Sequence, residues 1–482
     1  MSAIADEFAG SMFAGAAATL DKTQPMRIIG RVAALRGLSV LVDELRLPVG
    51  SLVSIAAPGT WTARGGPPTP ARAIPGEVVG FNRDQAIVML LGQTVGIRPG
   101  DEVAGEQVAQ VAGASRRLLG RCIDGLGRPI DALGPIGATL PVPLNPDPIS
   151  PMRRRRISKA MHTGLRAVDL MSTLGRGQRI GFFAGPGVGK STLLGTVAKR
   201  SDADVNVIAL IGERGREVRE FIEHSLGPEG LARSVVVVAT GDESPLLRVR
   251  AAKLACSVAE FFRDEGADVV LMMDSVTRFA HAQRQIGLSV GEPPANKGYT
   301  PSVFASMALL LERAGAVEGV RGAPGSITGI YTILVEGDDM TEPVADAARG
   351  ILDGHIILSR KLAQRAHYPA IDVLDSVSRV ADDVSDPEHA AARRRVTRLL
   401  AIYRDVEDLV QIGAYAKGTN PEADIAIELN ARINELLRQG RDEFTPFAQA
   451  REQLVQLARA SQAKAPAGGG RAGAGREIRG AA

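Results

Sequence analysis

A glycine-rich loop between an apolar run and a helix-forming run is the feature that most constrains this chain. Residues 179–183 are Arg-Ile-Gly-Phe-Phe, residues 184–191 are Ala-Gly-Pro-Gly-Val-Gly-Lys-Ser, and residues 192–199 favour a helix. Strand, loop and helix in this order predict a P-loop, in which backbone N–H groups surround phosphate oxygens. The chain is therefore predicted to bind a nucleoside triphosphate.

The loop pattern also predicts roles for individual residues. Lys190 is expected to reach the β- and γ-phosphates, and Ser191 to offer its hydroxyl to Mg²⁺. Alanine occupies the first position of the pattern, where glycine is usual. The predicted nucleotide-binding residues of the loop are Ala184, Gly185, Pro186, Gly187, Val188, Gly189, Lys190, Ser191 and Thr192.

The composition argues against several classes of protein. At 482 residues the chain is too long for one compact core and predicts two to four domains. The formal net charge of +3 provides no whole-protein field for nucleic acid or an anionic membrane. Cys122 and Cys256 are isolated and the six histidines lack metal-ligand spacing, which argues against disulfides or a zinc site. Since no apolar run reaches the ~18 residues of a membrane helix, we expect a cytoplasmic protein that associates with the inner membrane only peripherally, through partners.

The pattern of apolar residues divides the chain into segments. Short β-rich runs at 27–32, 51–55, 76–80 and 85–90 alternate with turns and predict a small β-barrel. Continuous apolar runs at 206–211, 234–239, 268–273 and 327–334 predict a mostly parallel sheet covered on both faces. Between them, residues 244–265 predict a long helix with Ser244 as its N-cap. From about residue 386 the pattern is helical.

The predicted fold class is therefore α/β, with an N-terminal β-barrel, a central P-loop domain and a C-terminal helical domain. The predicted boundaries are a flexible or docking segment at 1–25, the barrel at 26–111, a linker at 112–151, the P-loop domain at 152–384, the helical domain at 385–460 and a disordered tail at 461–482. A run of four arginines, 153–156, follows just after the end of this linker. We expect this run to be a solvated linker or an inter-subunit contact rather than a nucleic-acid or lipid site.

Two acidic residues follow apolar runs and are candidates for chemistry at the phosphates. Asp274 ends the run at 268–273, where a carboxylate is placed near the Mg²⁺ shell. Glu213 follows the run at 206–211, at the edge where ligands of open parallel sheets bind, and it can align the attacking water. A capping role for Asp274, or a salt bridge of Glu213 to Arg214 or Arg216, is the alternative.

Long motifs carry a resemblance to a known family. They lie at residues 183–195, 273–284, 291–304, 334–340 and 351–360. Through them, residues 26 to about 460 resemble the flagellar and type III secretion export ATPases, relatives of the catalytic subunit of rotary ATP synthases. The resemblance implies a RecA-like central domain that uses ATP and Mg²⁺.

The resemblance also implies further site residues. Asp274 would act in the metal shell, through water, and Arg214 and Arg278 would support the network at the phosphates. Tyr368 matches the residue whose ring stacks on adenine, and Arg379 matches an arginine that reaches the γ-phosphate of a neighbouring subunit. Such a finger supplied in trans implies a homohexameric ring. Without the resemblance, packing and a local ion pair would explain Tyr368 and Arg379.

The leading hypothesis is an ATPase that energises protein export through a flagellar type III apparatus. The implied partners are stator and central-stalk proteins, an export gate and chaperone–substrate complexes, and no nucleic acid. The ATPase of a virulence-type injection system is the alternative within the family. More distant alternatives are a rotary ATP synthase subunit, a hexameric RNA translocase and a non-catalytic ring member. The presence of both Lys190 and Glu213 argues against the non-catalytic ring member.

Overall fold

The computed structural model describes residues 28–58, 73–92, 95–107, 110–319, 324–335 and 339–463. The predicted segment at 1–25, most of the predicted tail at 461–482, and residues 336–338 of one family motif lie outside the described residues. Within the described ranges, no helix has both the length and the apolar character needed to span a bilayer.

Six antiparallel strands close into a barrel at the N-terminal end of the described chain, as predicted. Their order around the barrel is β1-β2-β5-β4-β3-β6, and Val40, Val53 and Val88 lie in its apolar core. Four strands fall at the predicted runs, whereas β2 and β6 were not predicted; β6 contains Gly105, and glycine is depleted in strands. The strands are β1 (Ile29–Arg36), β2 (Ser39–Asp43), β3 (Leu52–Ala56), β4 (Ile74–Asn82), β5 (Gln85–Leu90) and β6 (Glu102–Gln107).

The segment predicted as a linker holds ordered strands. β7 (Val111–Ala114) pairs with β9 (Leu140–Pro143), and β8 (Cys122–Asp124) joins the edge of the central sheet. Two short strands, β10 (Ala160–Met161) and β11 (Leu174–Gly175), pair with each other beyond it. The chain between barrel and central domain is thus fastened to the central sheet, and the domain boundaries stay predictions.

Within the described part of the chain, nine strands form the central sheet, in the order β19-β18-β12-β17-β15-β13-β14-β8, with β16 beside β17. From β18 to β8 neighbouring strands are parallel, whereas β19 is antiparallel to β18 and β16 to β17. The carboxyl ends of the parallel strands therefore share one edge, the carboxyl edge. The remaining strands are β12 (Arg179–Ala184), β13 (Val205–Ile211), β14 (Ser234–Ala239), β15 (Asp268–Asp274), β16 (Gly315–Ala316), β17 (Ser326–Leu334), β18 (Gly354–Leu358) and β19 (Ile371–Ser378).

Helices cover both faces of this sheet. Ser244 caps the longest of them in the central domain by accepting a hydrogen bond from the backbone N–H of Leu247, as predicted. A π-helical turn (Phe221–Leu226) links two short helices behind Glu213. The central helices are α1 (Arg166–Met171), α2 (Lys190–Arg200), α3 (Gly215–Glu220), α4 (Gly227–Ala232), α5 (Pro245–Asp264), α6 (Val276–Ser289), α7 (Pro301–Leu311), α8 (Pro343–Ile351), α9 (Arg360–Gln364) and α10 (Ala381–Val384).

The C-terminal region is helical, as predicted. It contains α11 (Pro387–Gln411), α12 (Pro421–Leu437) and α13 (Phe447–Ala463). Asp386 and Asn420 cap the first two helices with their side chains. The apolar faces of these helices share one buried cluster with residues of α1 and α2, so the helical domain packs directly on the P-loop side of the central domain.

The arginine run 153–156 is largely exposed to solvent, but it is also hydrogen-bonded to the central domain of the same chain. Arg154 donates to the carbonyl oxygens of Ala314 and Glu312, and Arg155 Nε donates to that of Val317 at 3.0 Å. Arg156 forms an exposed ion pair with Asp383 at 3.0 Å. Three of the four arginines therefore fasten this exposed stretch to the central domain of the same chain, so it is anchored and is not a free linker.

Candidate active site

The P-loop joins β12 to α2 at the carboxyl edge. Gly187 and Gly189 have φ angles of 78° and 90°, a left-handed conformation that favours glycine. A Cβ at Gly187 would meet no atom within 4 Å, so the backbone conformation and not crowding requires glycine there. Ala184 is the last residue of β12 and is paired with Leu334 and Leu358. Because it is a buried strand residue, alanine is tolerated at this first position.

Three charged side chains converge behind the loop. Lys190 Nζ lies 2.5 Å from Asp274 Oδ1 and 3.5 Å from Glu213 Oε1. Glu213 is 8% exposed and Asp274 3% exposed. The strand ends of β13 and β15 thus bring both predicted carboxylates to the P-loop lysine. Ser191 is exposed in the first turn of α2, and it directly follows Lys190 in the sequence.

Asp274 is held in place from the neighbouring strand. The hydroxyl of Thr332, on β17, donates to Asp274 Oδ1 at 2.7 Å, and Thr332 is fully buried. The same carboxylate oxygen receives the Lys190 ammonium. A carboxylate that receives two donors on one oxygen has a fixed orientation. The peptide bond between Asp274 and Ser275 is cis.

Burial and charged neighbours shift the pKa of Glu213 in opposite directions. Its pKa is raised to about 7: burial is the largest cause, the negative charge of Asp274 and a hydrogen bond with Glu217 also raise it, and the positive charges of Lys190 and Arg278 lower it. Its Oε1 is buried and has no hydrogen-bond partner within the described part of the chain. A carboxylate titrating near neutrality, with an oxygen free to accept a hydrogen bond, is suited to receive a proton from water.

The arginines near Glu213 differ in their placement. Arg278 Nη2 lies 3.5 Å from Glu213 Oε2, and its Nη1 donates to the carbonyl oxygen of Gly212. Arg214 is exposed and lies 3.6 Å from Glu217 instead. The alternative of a surface salt bridge from Glu213 to Arg214 or Arg216 is therefore wrong, because Glu213 is buried and its ion pairs among the described residues are with Lys190 and Arg278.

A largely apolar cavity of about 370 Å³ lies beside the P-loop and is called the base cavity below. Tyr368 forms one side, and its ring carbon Cε1 would lie 3.8 Å from a Cβ at Gly189. The apolar lining includes Leu165, Val188, Leu193, Pro369 and Ala370. The lining also includes Gln439, Gly440 and Arg441 of the C-terminal region, which sequence reasoning missed.

Arg379 lies far from this cluster within the same chain. Ala184 pairs with Leu358, and Leu358 faces Ile371 at the start of β19. Because β19 is antiparallel, its eight residues lead away from the carboxyl edge, roughly 25 Å at ~3.3 Å per residue. Arg379 follows the far end of β19 and is exposed, and its guanidinium has no hydrogen bond or ion pair with any described residue.

Comparison with known proteins identifies the family. The model of the ATP synthase alpha/beta family, nucleotide-binding domain, matches residues 164–378, and that of the T3SS EscN ATPase C-terminal domain matches residues 385–456. The flagellum-specific ATP synthase of Treponema pallidum is 47% identical over 449 residues, 93% of this chain and 97% of that protein. The chain belongs to the flagellar and type III secretion ATPases.

Other relatives agree with this assignment. The type 3 secretion system ATPase of Xanthomonas euvesicatoria is 50% identical over 381 residues, 79% of this chain and 85% of that protein. The assembled ATPase EscN of enteropathogenic E. coli matches with a TM-score of 0.79 at 39% identity, over 89% of this chain and all of that chain. EscN has also been solved in complex with its central stalk EscO. The protein is thus a P-loop ATPase.

Several residues of this ATPase site carried little sequence signal. Thr332 stands within an apolar strand, where a lone hydroxyl is usually a neutral choice. Its position near the end of a strand beside the Asp274 strand is the only hint that it faces the site. Gln439 and Arg441 follow a helix in a different domain, and no local pattern connects them to the nucleotide.

Proposed function

We propose that this ATPase hydrolyses ATP to energise protein export through a flagellar type III apparatus, as a ring with active sites at subunit interfaces. The observation that carries the proposal is the separation of Arg379 from the cluster of Lys190, Glu213 and Asp274 within one chain. A phosphate-binding cluster at one edge of the sheet, and at the other edge a guanidinium without a partner among the described residues, fit a ring in which each subunit completes its neighbour's site.

At the phosphates, each residue has a distinct role in the proposed reaction. The oxygen of a water molecule attacks the γ-phosphorus, and the bond to the oxygen that bridges the β- and γ-phosphates breaks. Glu213 aligns the water and accepts its proton, for which the raised pKa of this carboxyl is suited. Lys190 neutralises charge on the β- and γ-phosphates. Arg278 holds Glu213 toward the phosphates, and the exposed Arg214, now 3.6 Å from Glu217, would meet them from the surface.

The residues at the P-loop also fit Mg²⁺. This ion binds oxygen ligands and usually takes one or two from the protein, the remainder being waters and substrate phosphates. Ser191 offers a hydroxyl, and the Asp274 carboxylate, whose orientation Thr332 fixes, would act through water. When bound, Mg²⁺ supplies positive charge that stabilises the phosphate oxygens in the transition state.

The base cavity suits adenine. Its lining is mostly apolar, and Tyr368 is 46% exposed beside it, so the ring is free to stack on a base. The alternative for Tyr368, ordinary core packing, does not account for this exposure. Tyr368 also lies next to Gly189, which places a stacked base and the phosphate loop side by side.

Arg379 is proposed to act in trans. A guanidinium near the γ-phosphate neutralises charge spread over the transferring phosphoryl oxygens and is worth ~10³–10⁵ in rate. The ATPase EscN was solved in its assembled form, and it aligns over 89% of this chain. We therefore propose a homohexamer of the present chain, with central-stalk, stator, export-gate and chaperone–substrate partners, located in the cytoplasm at the inner membrane.

The second candidate is the ATPase of a virulence-type injection system, because relatives of both names match at similar identity. Replacing the chromosomal gene with a Glu213→Gln allele tests the proposal. We expect hook and filament subunits to disappear from the medium while the variant protein stays at wild-type abundance. Loss of needle and effector proteins instead would favour the second candidate, and unchanged export of both sets would contradict the proposal.

A further inference from the structure

The loop at residues 438–446, between α12 and α13, is the only part of the C-terminal helical domain whose described residues line the base cavity. Gln439 is 7% exposed, whereas most of the loop is exposed. A buried amide in an exposed loop must have its polar atoms paired, since an unpaired buried donor or acceptor is costly. The partners of Gln439 therefore define how the loop is held.

The Gln439 side chain makes three hydrogen bonds. Its Nε2 donates to the carbonyl oxygens of Gly164 and Glu443, both at 2.9 Å. Its Oε1 accepts from the backbone N–H of Arg166, also at 2.9 Å. Because the partners are two carbonyls and one N–H, only one orientation of the amide satisfies all three. Gln439 thus fastens the loop to the start of α1 in the central domain.

The backbone of the same residue holds Tyr368. The N–H of Gln439 donates to the Tyr368 carbonyl oxygen at 2.8 Å. The Tyr368 hydroxyl has no hydrogen-bond partner among the described residues, so the ring is positioned by its backbone and by packing. One buried residue therefore links three parts of the base cavity: the start of α1, the loop and the stacking tyrosine.

Other contacts anchor the loop from the outside. Arg441 Nη2 donates to the His224 carbonyl oxygen, at 2.9 Å, in the π-helical turn that follows Glu213. Arg200, at the end of α2, donates to the Asp442 carbonyl oxygen at 2.8 Å. Both of these hydrogen bonds are exposed, and they compete with water.

The Arg166 side chain, which is 11% exposed, is a further anchor of the loop. It donates to Thr445 Oγ1 at 3.0 Å and pairs with Glu443 at 2.5 Å. The Gln439 contacts differ from these because the same residue also donates its backbone N–H to Tyr368.

We infer that Gln439 is a positioning residue for nucleotide recognition: it sets the base cavity and the place of Tyr368, and leaves the phosphate site untouched. The inference rests on the proposed role of the cavity as the base site. It predicts that losing the Gln439 amide weakens binding of the base and not of the phosphates. Affinity for ATP and turnover should then separate.

The test compares full-length wild type with Gln439→Leu, which keeps the volume and removes the amide. We expect KM and Kd for ATP with Mg²⁺ to rise about tenfold, the factor of one lost hydrogen bond, with kcat within about twofold of wild type. Kd for inorganic tripolyphosphate, measured by calorimetry, should not change, because this probe lacks ribose and base. Gln439→Asn, whose shorter amide cannot span both carbonyls, should give a smaller rise in KM and serves if the leucine variant fails to fold. Gln453→Leu, an exposed glutamine of α13 outside the base cavity, should match wild type in every measurement.

The outcomes separate this inference from the proposed function. Equal losses of affinity for ATP and tripolyphosphate, or a fall in kcat with unchanged KM, would overturn the positioning role. Wild-type KM in both the leucine and asparagine variants would overturn it as well. If wild type itself bound tripolyphosphate as tightly as ATP, the cavity would not be a base site, and that part of the proposed function would fail first.

Discussion

The charged residues at the two edges of the central sheet differ in burial and in pairing. At the carboxyl edge, Lys190, Glu213 and Asp274 are largely buried and paired with one another. At the opposite edge, Arg379 is exposed and has no partner among the described residues. Buried, fixed charges are pre-organised for the transition state, whereas an exposed arginine can change its position without breaking any contact.

The difference indicates which steps of catalysis depend on assembly. The carboxyl edge can bind phosphate within a single chain, because its glycine loop, lysine and carboxylates are all in place. Under the proposed function, what a single chain lacks is a cation on the far side of the γ-phosphate. The comparison therefore predicts a protein that binds ATP as a monomer and hydrolyses it efficiently only in the ring.

The largest expected effect concerns the exposed edge. Arg379→Ala should lower kcat by ~10³-fold or more, since it removes the charge that stabilises the transferring phosphoryl group. ATP binding should change little, because the cluster at the carboxyl edge remains. Steady-state hydrolysis and calorimetric binding of ATP measure the two effects.

A mixing experiment distinguishes action in trans from a defect within the subunit. Arg379→Ala and Lys190→Ala are each expected to be inactive alone. A mixture should regain part of the activity, because some interfaces combine an intact Lys190 with an intact Arg379. A mixture as inactive as either variant would contradict a site shared between subunits and would leave the two edges unrelated.

Next in size is the effect of the buried base. Glu213→Gln should lower kcat by ~10²–10⁴-fold, the contribution of a positioned general base, and should retain ATP binding. The glutamine has nearly the same shape, so the loss would be chemical and not structural. Glu220→Gln, which changes an exposed carboxyl on α3, is the matched control and should lose far less. Near-normal turnover of Glu213→Gln would remove this residue from the mechanism.

A smaller effect is expected from the hydrogen bond by which Thr332 orients Asp274 at the carboxyl edge. Thr332→Val removes the hydroxyl that donates to Asp274 at 2.7 Å and keeps the side-chain shape. We expect kcat to fall about tenfold, as for one hydrogen bond to a charged group, and more Mg²⁺ to be needed for half-maximal activity. Thr332→Ser should restore both values. Equal activity of Thr332→Val and wild type would mean that Lys190 alone orients Asp274.

How much of this site could be predicted from the sequence depends on the distance between its parts along the chain. The P-loop is one contiguous run, and its conformation follows from its own glycines. Glu213 and Asp274 could be predicted because each follows an apolar strand, and parallel strands bring their carboxyl ends together. In these cases a local pattern and one rule of sheet geometry were sufficient.

The contacts that support the site could not be predicted in this way. Thr332 reaches Asp274 across 58 residues and Gln439 reaches Gly164 across 275. Neither residue differs from an ordinary strand or loop residue until the strand order and the packing of the helical domain are known. The same reason applies to β8, a three-residue strand that pairs with the central sheet from within a predicted linker.

The smallest expected effect concerns the stability of the exposed edge, where the ion pairs are open to solvent and should contribute little. Where the chain leaves Arg379 for the helical domain, Asp386 caps α11 and pairs with Arg451 at 2.6 Å. Asp386→Ala should destabilise the helical domain by about 1 kcal/mol, the value of a lost N-cap, seen as a lower midpoint of thermal unfolding. Asp386→Asn keeps the cap and loses only an exposed ion pair. It should therefore lower the free energy of unfolding by only about 0.3 kcal/mol.

The pH dependence separates these two contributions. The hydrogen bond from Arg451 holds the pKa of Asp386 well below its usual range. A depressed carboxyl pKa contributes stability that is complete above the unfolded value of about 3.9 and is lost as pH falls through the folded value. The difference between wild type and Asp386→Asn should therefore be constant from neutral pH down to about 4 and shrink below it. An asparagine variant as unstable as the alanine variant would mean that the ion pair, and not the cap, holds this edge, and that exposed charges contribute more there than solvent screening allows.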